Sequence, residues 1–198
     1  MIGCAAKEMG SFVSWARLTA ASGLVAVTYT NRDPQEDLQA LLEHLLSNAA
    51  SLGVDANRIG VWACSGHVPM ALSVLMGQYR EFLKCTALCY GYMLDLDGAT
   101  GVAEAAAAWR FVNASAGKSV DDFPQNVPLF IARAGRDQLA GLNDAIDRFL
   151  SKAVARNLPV TFVNHPEGPH AFDLDHDSET SREIIRLILG FFRFQLGT

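Results

Sequence analysis

The sequence has no apolar run long enough to span a bilayer. It also lacks a surplus of positive charge: 16 basic residues face 21 acidic ones, for a net charge of −5. No basic patch stands out to neutralise phosphates, so nucleic acid is not an expected partner. Met1–Gly10 has neither the basic start nor the apolar stretch of a secretion signal. The four cysteines, Cys4, Cys64, Cys85 and Cys89, form neither a CxxC pair nor the spaced framework of a secreted domain. Reduced thiols in a cytoplasmic protein are therefore expected, with Cys85 and Cys89 packed on one face of a strand. Metal ligands do not cluster and no phosphate-binding loop appears, so no cofactor and no metal are expected. Internal repeats and low-complexity linkers are absent as well.

What is present is a globular composition. Half of the 198 residues are hydrophobic, enough for a single domain over residues 1–198 with a sizeable core. Helical and strand patterns alternate, the mark of an α/β fold with a mostly parallel sheet flanked by helices. Ser11 is placed to cap a first helix carrying Phe12, Trp15 and Ala16 inward, and Ser22-Gly23 to end it. Leu24 to Tyr29 then reads as a buried strand. Asp33-Pro34 followed by Glu36 is a capping-box pattern, and Leu38, Leu41, Leu42, Leu45, Leu46 and Ala49 recur at helical spacing up to Gly53. Further strands are expected over 58–63, 86–90, 128–132 and 159–163, about five in all. Helices are expected over 66–79, 103–111, 143–156 and 178–194. The stretch 91–126 is the least regular and reads as loop or a small lid above the sheet.

Parallel sheets bind ligands at the carboxyl ends of their strands, so the residues just after each strand carry the functional information. After the second strand, Ala63-Cys64-Ser65-Gly66-His67 runs directly into a helix. This is a degenerate G-x-S-x-G elbow, a turn that needs small neighbours around its nucleophile. Ser65 is the candidate nucleophile. Cys64 is the alternative, but it would put Trp62 two residues ahead in a turn too tight for it. After the fourth strand comes Arg133-Ala-Gly-Arg-Asp137, where a carboxylate could hold an imidazole N–H. After the fifth comes Asn164-His-Pro-Glu-Gly-Pro-His170, where a histidine could take the serine proton and return it. Asp95 and Asp97 compete for the role of the acid, and His165 and His176 for the base. His44 faces solvent by periodicity, and His67 reads as a packing residue. The order Ser, Asp, His along the chain distinguishes one class of serine hydrolase from the others.

Three segments carry a family resemblance: 52–63 with the elbow that follows it, 128–137 and 165–172. With Ser14-Trp15-Ala16 and Leu24 to Tyr29 added, the chain resembles the dienelactone hydrolase and carboxylesterase branch of the α/β-hydrolase superfamily over nearly its whole length. The resemblance implies that Ser65, Asp137 and His170 hold the triad positions and that the Gly66 backbone N–H is one oxyanion-hole donor. It implies a serine esterase that cleaves small-molecule esters through an acyl-enzyme, and with 91–126 as the only candidate lid a shallow pocket suited to short-chain esters is expected. Family members carry about three more strands ahead of the first helix, then a Gly-rich loop that gives the second oxyanion donor. The chain thus reads as an N-terminally shortened α/β-hydrolase fold, with the segment around Gly3 to Ala6 as a candidate for that donor. One absent strand lies, in the family, between the equivalents of 24–29 and 58–63. An uncovered side there invites association, so a homo-oligomer covering it is expected. Two rival readings are a catalytically degenerate binding or assembly module, and a Cys64-dependent lactone hydrolase.

Overall fold

Side chains alternate between two faces along each strand, and both faces here are apolar. In the computed structural model, which describes residues 10–30, 32–94, 101–109 and 111–198, four strands result: β1 (Ile59–Cys64), β2 (Leu83–Cys89), β3 (Leu129–Ala134) and β4 (Val160–His165). They pair in the order β1-β2-β3-β4, all parallel. The helices are α1 (Gly10–Ala21), α2 (Pro34–Ser47), α3 (Ala49–Leu52), α4 (Val68–Leu75), α5 (Val102–Trp109), α6 (Leu142–Ala155), α7 (Phe172–Asp175) and α8 (Glu179–Leu196).

Each face of the sheet builds its own core. Ile59, Val61, Ala63, Leu88, Leu129 and Ile131 point to the side covered by α2, α4 and α6. Trp62, Cys85, Ala87, Cys89, Phe130 and Ala132 point to the side covered by Trp15 of α1 and the apolar stripe of α8. Cys85 and Cys89 do share a face, and burial pushes the Cys85 thiol up to about 12. The indoles of Trp15 and Trp62 meet edge-on at 4.1 Å between ring centres, anchoring α1 on the sheet. At the far end of α8, the Arg58 guanidinium donates to the carbonyls of Leu196 and Gly197, tying the helix terminus to the start of β1.

Among the described residues the sheet has four strands rather than about five. Leu24 to Tyr29 has strand composition but no strand: among the described residues the segment forms no ladder, and β1 pairs with β2 alone. Between the segment and β1 lies an apolar groove of about 330 Å³, bordered by Val25, Val27, Leu38, Val61 and Trp62 among others. A strand exists by virtue of its neighbour, and among the described residues this segment has none. Smaller differences have local causes. α1 begins at Gly10, so Ser11 lies inside it. The second helix breaks at Asn48, whose side chain donates to the His44 carbonyl at 2.8 Å, and α3 ends on left-handed Gly53. The opening of α2 is capped reciprocally by Asp33 and Asp37: Asp33 accepts the Glu36 N–H at 3.2 Å, and Asp37, not Glu36, accepts the Arg32 and Asp33 N–H groups. The helix expected from Gly66 starts as a 3-10 turn, Ser65–His67, and α4 stops at Leu75. The short α7 was not anticipated.

Phe149 is fully buried in the α6 face and meets Phe123 edge-on at 5.4 Å. Phe149→Ala should lower the unfolding free energy by about 3–5 kcal/mol through lost burial plus cavity, read as a drop in the urea midpoint at unchanged slope.

Candidate active site

The elbow follows from backbone geometry. Cys64 is the last residue of β1 and stays extended (φ −127°), whereas Ser65 swings to φ +55° before the chain enters the helix. A side chain rarely tolerates that region, so the reversal marks Ser65, not Cys64, as the residue held at the apex. The turn is braced from β2. Gly91 packs so closely that a Cβ there would collide with the Ser65 carbonyl and the Val68 side chain. Phe111 covers Gly66 from the other side and stacks on Tyr92 at 5.6 Å. His67 donates from Nδ1 to the Cys64 carbonyl at 3.1 Å. It is thereby a packing residue, and burial holds its pKa below the ordinary value.

The two other strand ends converge on Ser65. The Ser65 hydroxyl and His170 Nε2 are 2.7 Å apart, and His170 Nδ1 lies 2.6 Å from Asp137 Oδ2. The Asp137 carboxylate is sealed from solvent and also accepts the Leu139 N–H at 3.0 Å. The loops carrying the acid and the histidine are stitched together by backbone bonds: Gly135 N–H donates to the His165 carbonyl at 2.8 Å, and Arg136 N–H to Gly168 at 2.9 Å. Both glycines are required by close approach, since a Cβ on Gly135 would strike the Pro166 carbonyl and one on Gly168 the His165 ring.

Of the residues named from the sequence, Ser65, His170 and Asp137 come together, with Gly66 on the turn beside Ser65. Asp95, Asp97 and the segment Gly3 to Ala6 lie outside the described residues. His44 is exposed on α2. Cys64 faces the Cys89 thiol on the paired strand, directly opposite in register.

A second Ser–His pair exists. His165 Nε2 lies 3.1 Å from the Ser181 hydroxyl and 3.3 Å from that of Ser178, which caps α8. This pair is closed to solvent, with His165 1% and Ser181 3% exposed. His165 Nδ1 is buried without a hydrogen-bond partner among the described residues. Among the described residues no carboxylate hydrogen-bonds to the ring, and its burial closes it to a substrate. Its geometry is that of a structural pin between β4 and α8. His176 stands beside it, its ring centre 5.3 Å from that of His165.

No protein-family model matches the sequence, and no curated protein matches it. Solved structures do share the fold. The hyperthermophilic esterase of the archaeon Pyrobaculum calidifontis aligns with a TM-score of 0.74 at 19% identity, over 96% of this chain and 72% of its own. A fungal esterase from Rhizomucor miehei aligns with a TM-score of 0.74 at 13% identity, over 93% and 69%. A putative dienelactone hydrolase from Klebsiella pneumoniae aligns with a TM-score of 0.56 at 20% identity, over 80% and 61%. The chain therefore has the α/β-hydrolase fold, and it spans between 61% and 72% of the length of these three proteins.

Burial, and then His176, hold the His165 pKa below its ordinary value. The unfolded chain takes up those protons near pH ~6.5, before the folded one does. The stability contributed by neutral His165 and His67 is thus complete above that pH and is lost as pH falls toward the folded values. Asp173, whose pKa burial raises, acts in the opposite sense. Denaturant unfolding between about pH 7.5 and 5 should show stability declining toward acid, with a shallower slope in His165→Gln.

Proposed function

We propose that the protein is a serine esterase that hydrolyses short-chain carboxylic esters, with Ser65 as nucleophile, His170 as general base and Asp137 as the acid that orients it. One observation carries this reading: the continuous chain from Ser65 through His170 to buried Asp137, at the mouth of three parallel strands. The fold shared with esterases is consistent with it.

In this mechanism His170 Nε2 accepts the Ser65 proton as Oγ adds to the ester carbonyl. The negative oxygen that results needs donors placed in advance, and the Gly66 backbone N–H on the 3-10 turn supplies one. The imidazolium, held at Nδ1 by ionised Asp137, then protonates the departing alcohol. Water adds to the acyl-enzyme with His170 again as base, and the acid leaves. Phe111 packs over Gly66 beside the nucleophile and stacks on Tyr92, an apolar neighbourhood that favours a small acyl group and a small-molecule ester substrate.

The other features of this reading are narrower. Unpaired Cys64, Cys85 and Cys89 support a reducing, cytoplasmic setting. Among the described residues no helix is long and apolar enough to cross a membrane. The edge of β1, unpaired among the described residues, and its apolar groove support a homo-oligomer in which a second copy covers that side. Light scattering at micromolar concentration should give at least twice the chain mass, and a stable monomer would rule the assembly out.

Hydrolysis of a short p-nitrophenyl ester tests the chemistry. Ser65→Ala should abolish turnover, Asp137→Asn should lower it roughly 10⁴-fold, and Cys64→Ala should leave it within a few-fold. Loss confined to Cys64→Ala would transfer the role to the thiol. No turnover by wild type would leave a binding or assembly module.

A further inference from the structure

The polar groups behind His170 include two that the mechanism leaves unused. Tyr90 follows β2 and is 2% exposed, and its backbone is left-handed at φ +35°. Its N–H donates to the Ala132 carbonyl at 2.7 Å, which pins it to β3. Its ring meets the His170 imidazole edge-on at 5.1 Å and Phe172 at 5.4 Å. Its hydroxyl donates to Oδ1 of Asp173, which stands in α7 three residues after His170. Between the two lies Ala171, itself left-handed at φ +57°.

We propose that Tyr90 and Asp173 are positioning residues for His170: Asp173 fixes the Tyr90 hydroxyl, and the Tyr90 ring then holds the imidazole at the tilt that serves Ser65 and Asp137 together. Two in-plane hydrogen bonds set where the imidazole nitrogens sit but leave the ring free to rock about the line joining them. An edge-on aromatic neighbour removes that freedom. The hydroxyl bond ties strand to histidine loop, so the neighbour cannot drift with it. Protonation states suit this arrangement. Burial first, then Cys64, Asp173 and Cys89, keep the Tyr90 hydroxyl protonated far above its ordinary range, so it remains a donor. Burial raises the Asp173 pKa, while the Tyr90 hydroxyl, its own backbone, Trp15 and His170 pull it back.

The inference rests on the proposed esterase reading for its catalytic meaning, and the test separates the two. Ester turnover and the downfield NMR signal of the His170 Nδ1 proton are measured in wild type, Tyr90→Phe, Asp173→Ala, Asp173→Asn and the Tyr90→Phe/Asp173→Ala double variant. Tyr90→Phe and Asp173→Ala should each lower kcat about tenfold with KM within about twofold, since only orientation is lost. The double variant should be no worse than either single one, because both remove the same bond. Asp173→Asn should recover most of the rate, as its carbonyl still accepts the hydroxyl. The imidazole signal should broaden in the impaired variants and stay sharp in Asp173→Asn. Unchanged kcat and signal in Tyr90→Phe, additive losses in the double variant, or Asp173→Asn as damaged as Asp173→Ala would each overturn the proposal. If wild type cleaves no ester, the esterase reading fails while the NMR comparison still decides this one. If Asp173→Ala does not fold, Tyr90→Phe, which deletes a single oxygen, carries the test alone.

Discussion

Parallel hydrogen bonding between β1, β2, β3 and β4 is the constraint on which the rest depends. Parallel strands cannot be joined by tight turns, so every connection must return over a face, and every strand delivers its carboxyl end to the same edge. The register makes this convergence close: Cys64 lies opposite Cys89, Cys89 opposite Ala132, and Ala134 opposite His165. The residues that follow, Ser65, Tyr90, Asp137 and His170, are thereby gathered within reach of one another though they span more than half the chain. Helices α2, α4 and α6 on one face and α8 on the other bury β1, β2 and β3.

Strain is concentrated where the gathered residues meet. Among the described residues four non-glycine residues have positive φ, and three of them, Ser65, Tyr90 and Ala171, belong to this site. The fourth, Asn157, closes α6, where asparagine accepts such a conformation readily. Backbone held out of its preferred regions costs of order 1–3 kcal/mol per residue. It persists at this edge because the sheet, Gly91 and the stitched loops over-determine it. The second Ser–His pair carries no comparable strain, in keeping with a role as a pin.

Much of this was legible in the sequence. Apolar runs and their turn residues located all four strands to within a few positions, and the order of Ser65, Asp137 and His170 after those strands named side chains that lie together. Two kinds of feature were not legible. Leu24 to Tyr29 has the composition of a strand, yet pairing requires a neighbour, and local sequence says nothing about whether one is present. Close approaches are likewise invisible locally: the tightness of Gly91 against Ser65, or of Gly168 against His165, depends on segments far apart in the chain. The Tyr90–Asp173 bond is of the same kind, though a Tyr-Gly pair closing β2 and an Asp three residues past His170 were the available signals.

The clasp between Arg58 and the end of α8 joins residues 138 and 139 positions apart. Nearly the whole face formed by Trp62, Cys85 and Phe130 waits for that helix. During synthesis the sheet's first three strands emerge well before α8 exists, with only Trp15 of α1 already available to cover this side. Closing so long a loop is also slow compared with forming the helices themselves. The nascent chain therefore passes through a stage with one finished face and one largely bare one. How much folded protein a cell recovers is set by the race between α8 docking and self-association of that bare surface.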